Sequence, residues 1–221
     1  MRTVKRVRRN PKWQRRPEER RGEIIEAAVA TFGQLGYERA TLADVAERAG
    51  VSPGTVSHYF GSKSDLFEAV IADRFVDFVA SEEALLAAET GSARQLLVQL
   101  MRRLWEHTWA PGTIALMQAV QVDMAAFPGS GRLLCKQLSD RWRRLFGTIL
   151  ERGIRSGEFR RLDVDAAART IGYALLGVAQ KAATFARFDA TMPARERLWT
   201  AVLEMVERFV LDPTIVGRSC E

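Results

Sequence analysis

Between Thr41 and Phe60 the chain sets two helix starts and one helix stop within a span too short for most folds to accommodate. Thr41 and Asp44 stand at capping-box spacing, with Asp in the acidic role. Gly50 tolerates the positive φ of a tight turn. Ser52 then offers a hydroxyl cap, with Pro53 at the first helical position. Ala46 is small enough for two helices to cross closely, and Val45, Ala49, Val51 and Val56 pin the second helix onto the first. The spacing predicts a helix-turn-helix whose second helix exposes its N-terminal turns, the surface that such a unit presents to a DNA major groove.

The rest of the chain extends the helical pattern. Sustained period-2 runs are absent and 3.6-residue periodicity recurs throughout, so the fold class is all-α. Pro17, with Glu18 and Glu19 in the first turn, opens a helix whose face carries Ile25, Ala28, Phe32 and Leu35 and which Gly36 stops. After the helix-turn-helix, a helix starts at Ser62 and runs towards Leu86. Further helices are expected over Ala93–Trp109, Thr113–Phe127, Ser130–Ser156, Val164–Phe188 and Pro193–Leu211, punctuated by Pro111, Gly112, Pro128, Gly129, Gly157 and Pro193. The expected organisation is a basic disordered arm over residues 1–16, a three-helix DNA-binding head over 17–62, a helical regulatory and dimerisation body over 63–211, and a frayed tail over 212–221.

Charge sharpens this. Of the net +6, residues 1–21 carry +8, leaving −2 for the other 200 residues. The basicity is an arm, Arg8 and Arg9 included, of the kind that meets closely spaced phosphates. A membrane surface would need an apolar face beside that charge, and only Val4, Val7 and Trp13 are at hand. Cys135 and Cys220 lie far apart in no metal-like spacing, which suits a reducing compartment. No signal-peptide core follows the basic residues, and no apolar run approaches the ~20 residues of a spanning helix. A soluble, cytoplasmic protein is expected.

Residues from about Glu18 to Val70 resemble the head of the TetR/AcrR family of bacterial transcriptional regulators. The resemblance is carried by IIEAAVATFGQLG (24–36), TLADVA (41–46), GVSPGTV (50–56) and YFGSKSDL (59–66), about a quarter of the chain. It implies that Thr41, Tyr59 and Lys63 hold phosphates, with Lys63 aided by the following helix N-terminus. It also implies that Ser52, Thr55, Ser57 and His58 lie on or beside the groove-facing surface, with Ser57 and His58 nearest to base edges. Ser57 is shorter than the Tyr often found there in the family, and Pro53 and Ala43 stand where some members carry long polar readers. Weight therefore shifts towards phosphates and the arm.

In the family the last two long helices of each subunit form a four-helix dimer interface. Here the corresponding seams are Ile171, Leu175, Val178 and Phe185, then Val202, Met205 and Phe209. A homodimer makes physical sense, because two heads about one DNA turn (~34 Å) apart read a palindrome. The middle helices interleave large soft side chains with a few polar ones, the composition of a small-molecule site. Candidates to line it are Trp105, Trp109, Met117 and Gln121, together with Met124, Trp142, Phe146 and Tyr173.

The expectation is a ligand-responsive repressor on a palindromic operator, released by a small, largely apolar effector; an architectural DNA protein on the same fold is the alternative. Catalysis is disfavoured. His58 and His107 are the sole histidines, and no HExxH, GxSxG or GxxxxGK[ST] motif is present. No cofactor or metal is expected, and the expected partners are double-stranded DNA, a small effector and a second copy of the chain.

Overall fold

Local capping chemistry sets the element ends. The computed structural model describes residues 17–211 apart from Met124, Ala126, Pro128 and Arg187; the arm with Arg8 and Arg9, Cys220 and the tail over 212–221 lie outside the described residues. Helix α1 (Pro17–Leu35) stops at Gly36, where φ is 80°. Helix α2 (Leu42–Ala49) opens on a complete capping box. Asp44 N–H donates to Thr41 Oγ1 at 3.2 Å, and Thr41 N–H donates to Asp44 Oδ2 at 2.8 Å. Gly50, at φ 65°, closes α2 in the left-handed region. Helix α3 (Pro53–Phe60) is capped by Ser52, whose Oγ accepts from Thr55 N–H at 3.1 Å. A second capping box, Ser62 with Asp65, opens α4 (Lys63–Ile71).

The single helix expected from Ser62 to Leu86 is interrupted. A π-helical turn, Ala72–Val76, separates α4 from α5 (Asp77–Ala88). Then follow α6 (Ala93–Thr108), α7 (Thr113–Asp123), α8 (Gly129–Ser156), α9 (Val164–Phe185) and α10 (Arg195–Val210). Helix α7 ends at Asp123, short of the Phe127 expected, because Phe127 is drawn into a ring cluster with Tyr37 and Phe67 at 4.9 and 4.4 Å between centroids. Helix α9 stops at Phe185 instead of Phe188, and α10 starts at Arg195, capped at Ala194, instead of Pro193. Among the described residues the one extended pairing is an isolated antiparallel bridge between Phe159 and Leu211.

The core is continuous from head to body. In the head, Ile25, Ala28 and Phe32 of α1 meet Val45, Val56 and Leu66 of the next three helices. In the body, α8 lies along α9, α6 packs on both, and α10 covers α9. The head joins the body where α1 packs on α7 and α4 packs on α8. Burial of each such Leu, Ile or Phe contributes roughly 1.5–3 kcal/mol.

Candidate nucleic-acid interface and internal cavity

On α3 the apolar side chains turn inward and the short polar ones outward. Val56 and Phe60 are buried; Ser52, Ser57 and His58 are exposed, and Thr55 and Tyr59 are half-buried. Ser52 and Thr55 bond to each other through their hydroxyls at 2.8 Å, which consumes part of their capacity for other partners. Thr41 is exposed, and its hydroxyl also donates to Asp44 Oδ2 at 2.6 Å. That bond and the one from the Thr41 backbone hold the Asp44 carboxyl below the usual carboxylate range. Arg48 fastens α2 to α1 through Thr31 Oγ1 at 3.1 Å and Gln34 Oε1 at 2.5 Å. Helix α3 is thus held from behind, with its outer face open.

Lys63 is placed differently from the phosphate role implied for it. Its Nζ donates to the carbonyls of Tyr37 and Glu38 at 3.0 and 3.1 Å and lies 4.7 Å from the Tyr37 ring centroid. Two of its three donors are spent on the loop after α1. Arg21, the last residue of the basic run, stacks on Phe60 at 5.3 Å and places a guanidinium beside the end of α3.

The body encloses a cavity of about 210 Å³ against the end of α4 and the π-helical turn. Met117, Gln121, Trp142, Phe146 and Tyr173 stand on its wall. Met124 lies outside the described residues. Trp105 and Trp109 are corrections: neither lines the cavity. Trp105 is fully buried between Trp109 and Trp199, at 5.8 and 6.1 Å, and Arg195 covers Trp109 at 5.7 Å. Helical spacing marks both as apolar but does not say which of two apolar neighbourhoods they enter.

Wall residues absent from the expected set include Ile71, Phe75, Arg143 and Arg169, and His107 also stands on the wall. His107 stacks on Phe78 with centroids 3.8 Å apart. Burial pushes its imidazole pKa down, opposed by a hydrogen bond to the backbone of Arg74 in the π-helical turn. That bond favours the protonated ring, so a ring N–H donates it; Nε2 is buried and has no partner among the described residues. Arg74 in turn forms an ion pair with Glu26 of α1. Cys135 also reaches the wall, its thiol pKa raised by burial. The sequence signal for Arg143 and Arg169 is weak, because each sits on an amphipathic helix where a charge ordinarily faces water.

The expected dimer seam divides in two. Ile171, Leu175 and Val202 are corrections, being 1, 1 and 4% exposed inside the subunit's own core; Val178 is half-buried. Phe185, Met205 and Phe209 remain exposed, joined by Phe188, which is 83% exposed. On α9 the regularly spaced Ile171 and Leu175 face inward, where α9 packs onto α6 and α8, whereas its outer face carries Gly177, Lys181 and Phe185. Among the described residues no group of His, Cys, Asp or Glu is placed to hold a metal, and no helix is long and apolar enough to cross a membrane.

Residues 24–70 match the family described as bacterial regulatory proteins, tetR family, and residues 87–179 match the tetracyclin repressor-like C-terminal domain. The HTH-type transcriptional regulator BetI of Cronobacter sakazakii is 40% identical over 82 residues, 36% of this chain and 41% of that protein. The chain therefore spans less than half the length of that curated relative. The ketosteroid transcriptional regulator KstR2 of Mycobacterium tuberculosis superposes with a TM-score of 0.68 at 23% identity, covering 87% of this chain and 95% of that one. A transcriptional regulator from Saccharomonospora viridis in complex with choline superposes with a TM-score of 0.73 at 20% identity, covering 88% and 99%. At these identities the two structures speak for the fold.

Proposed function

We propose, from the premise that this chain belongs to the TetR family of bacterial regulatory proteins, that it is a DNA-binding transcriptional repressor released from its operator by a small ligand. One observation carries the reading: the head that offers Ser57 and His58 to solvent is built on α4, and α4 runs into a π-helical turn that walls the body's cavity. A ligand in that cavity touches Ile71 on α4, which also supports α3, and Phe75 on the π-helical turn that follows it. Release then requires different ligand affinities in the DNA-bound and free arrangements.

In this reading residues 17–62 are the DNA-binding head and 63–211 the regulatory body. Ser57 and His58 meet base edges, while Thr41, Ser52, Thr55 and Tyr59 meet the backbone beside them. Arg8 and Arg9 of the arm add phosphate contacts. A second copy pairs through Phe185, Met205 and Phe209, which places two heads on a palindrome. The protein works in the cytoplasm, and no catalytic step is assigned to it.

The test is a genome-wide binding map of the full chain, followed by footprinting of the strongest sites. One or a few palindromic promoter sites are expected, with His58→Ala weakening them by about tenfold or more, the worth of a lost base contact. Many dispersed sites of no common sequence would instead mean an architectural protein and sink the repressor reading.

A further inference from the structure

The cavity wall is apolar over most of its area, and its charged groups carry one sign. Arg143 of α8 and Arg169 of α9 line it, and among the described residues no aspartate or glutamate does. Asp165 lies between the two arginines. Arg143 Nη1 donates to its Oδ1 at 2.8 Å, and Arg169 Nε donates to its Oδ2 at 2.9 Å. One carboxylate thus serves two guanidiniums, which leaves an excess positive charge. Asp140 is the other nearby acid. It bonds Lys136 at 3.0 Å, and its Oδ1 makes a longer ion pair with Arg143 Nε at 3.8 Å, beyond hydrogen-bonding distance. Arg143, Arg169 and Lys136 thus share the carboxylates of Asp165 and Asp140, and positive charge remains in excess.

Arg143 Nε is therefore buried with no hydrogen-bond acceptor among the described residues. A buried donor of this kind costs free energy until something accepts from it. Arg169, besides its bond to Asp165, reaches the hydroxyl of Tyr173. Arg169, Asp165 and Tyr173 are 41, 54 and 60% exposed, so the charged end of the cavity is the end that opens to solvent.

We propose that this cavity takes a small organic acid. Its carboxylate is held by Arg143 and Arg169 at the solvent end, and its apolar body lies against Phe75, Met117, Leu138, Trp142, Phe146 and Leu176. The inference rests on the reading of this cavity as the effector site. The planar guanidinium fork matches a carboxylate and supplies charge-assisted hydrogen bonds. An onium ion, by contrast, finds no anionic partner on the wall and meets two like charges.

The experiment uses three probes of one shape, phenylpropanoate, phenylpropanol and phenylpropylammonium, titrated calorimetrically into the full chain. The acid is expected to bind about tenfold or more tightly than the alcohol, and the ammonium most weakly. In Arg143→Met the acid's advantage falls to within about threefold of the alcohol, while the alcohol still binds, which reports an intact cavity. Arg169→Met, where the chain carries the charge at a more exposed site, shows a smaller loss of the same kind. An acid no tighter than the alcohol, an ammonium that binds as well as the acid, or an advantage that survives Arg143→Met would overturn the proposal. DNA binding is read in the same samples. Acid-selective binding that leaves DNA affinity unchanged removes the effector reading and spares the acid site; DNA release by the ammonium or alcohol alone does the opposite.

Discussion

The backbone N–H of Tyr37, just beyond α1, donates a 2.6 Å hydrogen bond to Asp123 Oδ2 at the end of α7. This bond ties the loop that leads into the helix-turn-helix to the wall of the body. It is tight on both sides: a Cβ at neighbouring Gly36 would sit 2.7 Å from the same oxygen, and Gly36 is at φ 80°. Bonds to charged groups contribute about 1.5–3 kcal/mol, and partial exposure of Asp123 places this one near the lower value. Asp123→Ala is expected to lower stability by about 1.5 kcal/mol in urea unfolding. An unchanged midpoint would mean that the tie is not formed in solution.

Lys63 separates a structural from a DNA-contacting role. With Nζ on two carbonyls of the α1–α2 loop, Lys63→Met is expected to destabilise the head by about 1–2 kcal/mol. The slope of log affinity against log salt should stay as in the wild type. A lysine that neutralises one phosphate would instead reduce that slope by roughly 0.9 with stability intact. The two outcomes are read from one set of salt-titrated DNA-binding curves and one melting curve.

Gly153 has a steric reason to be glycine. A Cβ there would lie 2.1 Å from Cδ2 of Phe159, a ring that is 3% exposed and packed across α8. Gly153→Ala is expected to cost about 3 kcal/mol or more by overpacking, and Phe159→Ala about 3–5 kcal/mol by leaving a cavity. Together they should cost less than their sum, since the added methyl occupies space the ring has vacated. Strict additivity in the double-mutant cycle would show that the contact is not what disfavours alanine.

Legibility in the sequence followed the range of the interactions. Thr41, Asp44, Gly50 and Ser52 act within three or four residues, so their caps and turn could be placed from the sequence alone. The π-helical turn could not. Ala72 to Val76 are unremarkable in a helix, and the partners of this segment, His107 and Glu26, come from elsewhere in the chain. Periodicity found the apolar residues of α6 and α9 but not their neighbours, so Trp105, Ile171 and Leu175 went to the wrong surfaces. Arg143 and Arg169 escaped notice for the opposite reason. Only the folded chain brings both to one Asp165 beside a cavity.

His107 makes stability depend on pH in a window where few other groups titrate. Its ring is stacked on Phe78, and burial lowers its pKa below the ordinary 6.5; the bond to the Arg74 backbone opposes this, and the charge of Arg74 adds to the lowering. A folded-state pKa below the unfolded one means that the folded chain binds the proton less readily. The contribution is therefore fully present above about pH 6.5 and is lost as pH falls through the folded-state value. The capping carboxylates of Asp44 and Asp65 are also shifted down, from 3.8, so they release their stabilisation only at far lower pH. Melting temperatures of the wild type and His107→Phe, measured from about pH 7.5 to 5.5, should diverge in slope, the wild type falling more steeply. The level of the variant is not the readout, because it also loses the bond to Arg74. Parallel slopes across that range would show that the imidazole is free to protonate in the folded state, and the buried, acceptor-ready Nε2 on the cavity wall would then have to be abandoned.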